Sequence, residues 1–223
     1  MDLKLLKVNN GIYNVSVIAD DEYIGQSIIQ GHEWDRWMRR EARTYHKPGT
    51  DILDIGANIG YNTLIFSDYG PVIAFEPVFH QIVKLNVQGN TLRHDVQVAA
   101  CALSDTKEVR EMNIPAQGCQ SNTHINYGGT SLYTNETIKT TPVTVNCERL
   151  DDIYDGVPSL MKIDVEGHEL SVLRGAEKTI KKHKPAILIE IHDFTDDHEV
   201  HVFLKSLGYG VPIKKPEAMY LYT

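Results

Sequence analysis

Two pairs of polar side chains stand where apolar segments of the sequence end, and their types are those that can move protons. Asp164 and Glu166 follow the run "SLMKI", and Glu190 and His192 close the run "PAILIEIHD". Side chains two positions apart in an extended strand point the same way, so each pair should project together. Carboxylates and an imidazole crowded at one sheet edge raise one another's pKa or attract a cation, which is typical of functional sites. These four side chains are the candidate catalytic groups.

The roles of the four groups stay open at the level of sequence. His192 is the preferred base because an unperturbed imidazole has a pKa of about 6.5. Glu166 could instead cap the helix that follows it, and His192 could be a hydrogen-bonded residue at a strand end. The same groups would also suit Mg²⁺ or Mn²⁺, which would acidify a bound hydroxyl in place of a protein base. A site without a metal is the preferred interpretation.

A second constellation lies in "DILDIGANIGYNTLIFSDYGPVIAFEP", residues 51–77. Gly56 and Gly60 predict a tight turn between an apolar strand and a short helix. Glu76 closes the next strand, roughly 20 residues after Asp54, where a carboxylate can accept both ribose hydroxyl hydrogens of a nucleoside. The alternative is that the glycines serve only the turn and that Glu76 is a solvated acid.

The spacing of the glycines discriminates between nucleotide cofactors. A dinucleotide-binding turn needs further glycines for the approach of a pyrophosphate and for helix packing, and those positions carry Asn58 and Tyr61 here. NAD and FAD are therefore disfavoured. S-adenosylmethionine has no pyrophosphate, and its amino-acid end can use the turn amides and a nearby acid.

Regular alternation of strand and helix signals must position these groups. The predicted strands are "TDILDIG", "PVIAFEP", "VQVAACALS", "SLMKIDVEG" and "PAILIEIHD". The predicted helices are "NTLIFSDYG", "FHQIVKLNVQGN", "LSVLRGAEKTIKKHK" and "HEVHVFLKSLG". On the second helix Ile82 and Leu85 are expected to face inward, and on the third Leu170, Leu173, Ala176 and Ile180.

This pattern predicts an α/β protein with a doubly wound, mostly parallel sheet, because apolar strands separated by helices are covered on both faces. The segments "YGVPIK" and "AMYLYT" add a C-terminal antiparallel β-hairpin. That combination is typical of the class I (Rossmann-like) methyltransferase fold. Residues 1–223 are interpreted as a single domain, with residues 1–49 covering the cofactor site.

Residues 105–146 interrupt the alternation with polar sequence flanked by the possible edge strands "EVREMNI" and "TPVTVNC". We interpret this stretch as an inserted hairpin and loop, because long loops in compact domains are often functional. Its tip would form a lid over the site, with Tyr127 and Tyr133 able to stack on the ring of a bound ligand. An ordinary surface hairpin is the alternative.

Composition narrows the class of protein. The 223 residues are 42% hydrophobic and 23% charged, as in ordinary globular proteins, and the formal charge of −8 disfavours a nucleic-acid partner. No apolar run is long enough for a membrane span or a secretion signal, which predicts a soluble, cytoplasmic protein without a membrane partner. Cys101, Cys119 and Cys147 are expected to be reduced thiols. The oligomeric state is not predicted.

The segments "DILDIGANIG", "AFEP", "CALSD", "LMKIDVEGHELSVLRGA" and "ILIEIHD", in this order, resemble the FkbM family of S-adenosylmethionine-dependent methyltransferases. The resemblance covers about Gly31 to Leu207. It implies methylation of a hydroxyl group on a sugar, a glycan or a sugar-like molecule.

The resemblance also implies which residues hold the cofactor. Leu103 and Ser104 would lie near the adenine, and Asp164 near the reacting end. Asp35, in "HEWDRW", stands where the family more often has a glutamate, and it is a further candidate. The remaining implied cofactor contacts are Asp54, Gly56, Ala57, Asn58, Gly60, Glu76 and Pro77.

Two other classes of function share these features. An RNA methyltransferase would use the same cofactor turn but should also carry a basic stripe or an appended binding module. A protein that binds S-adenosylmethionine without catalysis would keep the turn and lose the acids at the strand ends. Those acids are present here.

Overall fold

The computed structural model describes residues 3–116, 124–133 and 139–223. The strands are β1 Leu5–Asn9, β2 Asn14–Ile18, β3 Asp51–Ile55, β4 Val72–Phe75, β5 Val96–Ala99, β6 Ala102–Leu103, β7 Glu108–Pro115, β8 Thr140–Glu148, β9 Pro158–Ile163, β10 Ala186–Glu190, β11 Ile213–Lys214 and β12 Met219–Tyr222. The helices are α1 Ile24–Ile29, α2 Met38–Tyr45, α3 Tyr61–Ser67, α4 His80–Gln88, α5 Leu150–Ile153, α6 Glu169–Gly175, α7 Glu177–His183 and α8 Glu199–Ser206.

Seven strands form the central sheet in the order β11, β12, β10, β9, β3, β4, β5. The strands from β10 to β5 pair in parallel, and β12 pairs antiparallel with both β10 and β11. The predicted mostly parallel, doubly wound sheet and its C-terminal hairpin are confirmed. From β3 the chain proceeds to β4 and β5 on one side, and β9 returns on the other side. The crevice between β3 and β9 is therefore a topological switch point, where ligands bind in such sheets.

Alternating side chains of the central strands enter two hydrophobic clusters, one on each face of the sheet. Ile52 of β3 packs in the cluster that contains Leu64 and Phe66 of α3. Its neighbour Leu53 packs in the cluster that contains Leu173 of α6 and Ile180 of α7. Because successive side chains of a strand point to opposite faces, one apolar run supplies both clusters.

A three-stranded sheet, in the order β6, β8, β7, stands beside the central sheet. β7 and β8, which contain the expected edge strands "EVREMNI" and "TPVTVNC", pair antiparallel. The single strand expected over "VQVAACALS" is wrong, because the chain leaves the central sheet after Ala99 and Ala102 pairs with Cys147 of β8. Cys101 and Cys147 are buried free thiols, and Cys119 lies outside the described residues.

Two helix predictions need correction. Leu85 of α4 is 47% exposed, and Val83 and Asn86 are buried on that helix together with Ile82. The expected continuous helix after residue 169 is divided into α6 and α7 at Ala176, whose ψ of 9° departs from helical geometry. Gly175 packs at this point against the backbone carbonyl of Ser104, where an added Cβ would lie 1.9 Å from the oxygen.

Among the described residues, no helix combines the length and the apolar character that crossing a bilayer requires.

The turn after β3 provides a test of how tightly the sheet holds its glycine. Gly56 has a φ of +77°, and an added Cβ would lie 1.9 Å from the carbonyl oxygen of Asp164. Gly56→Ala should therefore lower the free energy of unfolding by more than about 3 kcal/mol in urea denaturation. Gly11→Ala is the matched control, because Gly11 has a φ of +85° but open space around it, and should cost about 1–2 kcal/mol. Equal costs would show that the close approach to Asp164 is unimportant.

Candidate functional site

A cavity of about 450 Å³ opens at the carboxyl ends of β3, β4, β9 and β10, beside the switch point. Its walls also include the N-terminal segment around Trp34, the tip of the inserted hairpin around Tyr127, and the turn between β11 and β12 at Glu217. This volume lies in the range of small-molecule and cofactor sites. The cavity therefore brings residues of both predicted constellations into one place.

The glycine turn forms the floor of the cavity. Gly56, with a φ of +77°, lies against the backbone of Asp164, and Gly60, with a φ of +84°, lies against Val83, 2.8 Å from the position of an added Cβ. Asn58 also adopts a left-handed conformation, with a φ of 53°. Close backbone approach thus explains both glycines, and Ala57 and Asn58 line the cavity between them.

A buried lysine ties this turn to the neighbouring strand. Lys162 of β9 stands in register with Asp54 of β3, and its Nζ donates a hydrogen bond to the carbonyl oxygen of Gly56 at 2.7 Å. The same Nζ lies 3.6 Å from Asp54 and 3.2 Å from Asp164. Burial lowers the pKa of Lys162, but the charges of Asp164 and Asp54 more than offset this and raise it above its ordinary value. Lys162 is therefore a charged side chain that connects β9 to the turn after β3.

Asp54 has no access to the cavity. Its side chain is fully buried, accepts a hydrogen bond from Thr63 Oγ1 at 2.6 Å and faces Lys162. This placement does not support the implied direct contact of Asp54 with a cofactor, because its carboxylate faces Thr63 and Lys162 and does not line the cavity. Asp54 is instead a buried partner of Lys162.

Glu76 is buried and already accepts three backbone hydrogen bonds. Asn58 N donates to Oε2 at 2.9 Å, and Val78 N and Phe79 N donate to Oε1 at 2.8 and 3.0 Å. A carboxylate offers about four acceptor positions, so about one remains for a ligand. The contact of Glu76 with a ribose stays a prediction, with room for about one hydroxyl where two were expected, and Pro77 lines the cavity beside it.

The wall of the cavity around Leu103 is mostly apolar. Leu103 lines the cavity with Cys101, Met112 and Leu132, whereas Ser104 does not reach it. The side chain of Ser104 lies 3.0 Å from Nε2 of His168, which is 3% exposed and does line the cavity. Nδ1 of His168 is buried and has no hydrogen-bond partner among the described residues. Burial lowers the pKa of His168, which favours the neutral imidazole.

The acids predicted at the strand ends do meet at the cavity, where Glu190 is the last residue of β10 and Asp164 and Glu166 follow the end of β9. β9 ends at Ile163, and Glu166 lies in a turn with a φ of 53°, so simple strand alternation does not orient the pair. Asp164, Glu166 and Glu190 all line the cavity. Burial, together with the charges of Asp164 and Glu169, raises the pKa of Glu166 to about 7. Burial and the charges of Asp164 and Glu166 raise the pKa of Glu190 to about 8.

His192 lies outside the cavity lining. Its side chain is 65% exposed, and its Nε2 lies 3.3 Å from Glu190 Oε2. The ligand atoms of Glu166, Glu190 and His192 all lie within 4.8 Å of one another, so a divalent cation could be held there. The imidazole thus contacts solvent on one side and Glu190 on the other.

The N-terminal segment and the inserted hairpin complete the walls. Asp35 lines the cavity and accepts a hydrogen bond from Asn62 Nδ2 at 2.8 Å. Tyr127 is buried, its ring meets Phe79 edge to face at 6.0 Å, and it lines the cavity. Tyr133 is 52% exposed and lies 5.9 Å from the ring of His168, outside the lining.

Sequence reasoning missed four residues of this site. Lys162 carried a signal, since a lysine inside an apolar strand needs buried acids, but Asn62 and Glu217 show no local pattern. His168 resembles an ordinary histidine of a turn in the sequence, and the structure buries it against the cavity.

Comparison with known proteins identifies related chains. Residues 54–211 match the model of the methyltransferase FkbM domain. The 31-O-demethyl-FK506 methyltransferase FkbM of Streptomyces tacrolimicus is 30% identical, over 74% of this chain and 74% of the relative. The hexuronic acid methyltransferase AglP of Haloferax volcanii is 26% identical, over 74% of this chain and 66% of the relative.

A solved structure of a methyltransferase FkbM from Methylobacillus flagellatus KT is 18% identical, with a TM-score of 0.49. The match covers 82% of the present chain and 50% of the solved one. The present chain thus spans half the length of that protein.

Proposed function

Because the chain belongs to the FkbM family of methyltransferases, we propose that it transfers a methyl group from S-adenosylmethionine to a hydroxyl group of a sugar or sugar-like molecule. The observation that carries this proposal is the cavity at the switch point, where the glycine turn and Glu76 adjoin a cluster of acids with raised pKa values. Two relatives support an acceptor of this kind, one named for a hexuronic acid and one for an O-demethylated compound.

The floor and the apolar wall would hold the donor. Glu76 retains about one acceptor position for a ribose hydroxyl, and the wall around Leu103 offers an apolar face to the adenine. Nδ1 of His168, which lacks a protein partner among the described residues, would bind an edge of the base. When bound, S-adenosylmethionine supplies an electrophilic methyl group.

Glu190 is the residue we assign as the base. A methyl transfer to oxygen needs an aligned acceptor and a group that removes its proton, and a base works best with a pKa near the operating pH. The carboxylate of Glu190 lines the cavity with a pKa of about 8. His192, exposed and 3.3 Å from Glu190, would pass the proton to solvent.

The charge of the walls favours an uncharged acceptor. Among the described residues of the lining, Lys162 is the sole lysine or arginine, and it is engaged with Asp54 and Asp164. The carboxylates that line the same cavity are those of Asp35, Glu76, Asp164, Glu166, Glu190 and Glu217. A carboxylated sugar would add a negative charge to this group of acids without a free cation to balance it, and juxtaposed like charges cost several kcal/mol. We therefore propose a neutral hydroxyl compound as the acceptor.

The donor assignment is tested by calorimetry with S-adenosylhomocysteine. Glu76→Gln places an amide NH₂ among three backbone donors, so affinity should fall about 10- to 100-fold. Glu111→Gln, the same substitution on an exposed position of β7, should bind like the wild type. Wild-type affinity in a folded Glu76→Gln protein would contradict the role of the acid.

The base assignment is tested by the pH dependence of methyl transfer. A carboxylate accepts a proton only when ionised, so the rate should rise with pH around a midpoint of about 8 and then level off. Glu190→Gln should lower the rate by roughly 10²–10⁴ and abolish this rise. Glu166→Gln removes a neighbouring negative charge, so it should shift the midpoint to lower pH.

Two controls separate the alternatives at this cluster. His192→Ala should lower the rate by less than about tenfold if His192 only passes the proton on, whereas a loss as large as that of Glu190→Gln would make the imidazole the base. Loss of activity with a chelator, reversed by Mg²⁺ or Mn²⁺, would show that a metal held by Glu166, Glu190 and His192 activates the hydroxyl instead.

The acceptor class is tested with labelled S-adenosylmethionine and matched sugars. Neutral hexosides should be methylated with a kcat/KM at least about tenfold above that of the corresponding hexuronates, because the walls repel a carboxylate. Hexuronamides are the control, since they keep the ring and lose the charge, and they should behave like the neutral sugars. A preference for hexuronates over their amides would contradict the proposed acceptor.

A further inference from the structure

Acceptor atoms without donors gather at one end of the cavity. Oδ1 of Asn62 is buried without a hydrogen-bond partner among the described residues, and so is Oδ1 of Asp35. Asn62 itself is only 8% exposed, yet it lines the cavity. Glu217, from the turn between β11 and β12, lines the same cavity, and interaction with Asp35 raises the pKa of its carboxyl group. Three acceptor groups thus meet where the described protein supplies no donor for two of the oxygens.

The orientation of the Asn62 amide is determined by its neighbour. Nδ2 donates to Asp35 Oδ2 at 2.8 Å, and the reverse orientation would set the amide oxygen against a carboxylate. The free Oδ1 is therefore a true acceptor. A buried acceptor without a donor costs about 1–3 kcal/mol, so the arrangement indicates a missing donor.

The charges of the neighbouring acids also favour a ligand that donates hydrogen bonds, and they favour a cation in particular. Asp35 and Glu217 are adjacent carboxyl groups, and burial together with the contact to Asp35 raises the pKa of Glu217 to about 8. A cation bound between them would relieve the repulsion. Lys162 cannot do so, because Gly56, Asp54 and Asp164 already engage its ammonium.

A primary ammonium group matches these requirements. It carries one positive charge and three N–H donors, which suits an amide oxygen and two carboxyl groups. Asn62 lies in the first turn of α3, directly after the glycine turn. The charge of Asp35 contributes to the raised pKa of Lys162, and Lys162 donates a hydrogen bond to the carbonyl of Gly56 in that turn. This end of the cavity therefore borders the place where the amino-acid part of a donor would lie.

We propose that Asp35, Asn62 and Glu217 form a binding subsite for the α-ammonium group of the methyl donor. The inference rests on the proposed function, and it adds Asn62 and Glu217 to the binding residues. Asp35 would form an ion pair with the ammonium group, and Asn62 Oδ1 would accept a hydrogen bond from one of its N–H groups. Glu217 would contact the ammonium group from the C-terminal hairpin.

The experiment compares S-adenosylhomocysteine with its analogue in which hydrogen replaces the α-amino group, by calorimetry. The wild type should prefer the amine about 10- to 100-fold, the usual strength of hydrogen bonds to a charged group. Asn62→Leu should reduce this preference to a few-fold while binding the deaminated analogue as before. Asn146→Leu, the same substitution at an exposed position of β8, should keep the wild-type preference.

Asp35→Asn provides a second variant of nearly unchanged shape, should Asn62→Leu disturb α3, and it should reduce the preference by a similar factor. Circular dichroism and thermal melting establish that each variant is folded. A wild type that binds both compounds equally would overturn the subsite and leave the proposed function standing. A wild type that binds neither would overturn both.

Two further outcomes would assign the subsite to another ligand and so overturn the proposal. If Asn62→Leu keeps its preference for the amine but selectively loses binding of glucosamine relative to glucose, the ammonium group belongs to the acceptor. If the wild-type preference disappears with a chelator and returns with Mg²⁺, a metal occupies the subsite.

Discussion

The charged group of Lys162, buried between β3 and β9, is the interaction on which the geometry of the site depends. It stands in register with Asp54, donates to the carbonyl of Gly56 and reaches Asp164 at the rim. Removing one partner of a buried ion pair typically costs 3–5 kcal/mol, because the remaining charge is left uncompensated. One side chain thus fixes the turn after β3 relative to the turn after β9, across the switch point of the sheet.

The cavity concentrates arrangements that an ordinary core would avoid. Carboxylates with raised pKa values face one another there, and several residues other than glycine have positive φ values, namely Asp35, Asn58, Glu166 and Glu217. Such strain persists only where the surrounding structure is firmly packed. The two hydrophobic clusters on the faces of the sheet provide that packing, and cationic ligands would relieve the repulsion.

Most of the fold could be predicted because its signals are local. Apolar runs of strand length, helical periodicity and the positions of glycine are readable within short windows, and they yielded the parallel sheet and the closing hairpin. The failures were also physical. Leu85 fits a helical stripe but lies on the exposed side of α4, and the strand over "VQVAACALS" is divided because Ala102 pairs with β8, more than forty residues away in the chain.

The sequence by itself determined the turn with Gly56 and Gly60, the acid at Glu76, and the acids at the carboxyl ends of β9 and β10, because residue type and spacing encode a turn and a strand end. Only the tertiary structure decided the partners of these groups. It buried Asp54 against Thr63 and placed His192 outside the cavity lining. It also brought Asn62 and Glu217 next to Asp35. Parallel strands and a returning hairpin bring together residues far apart in the chain, and no local periodicity encodes such contacts.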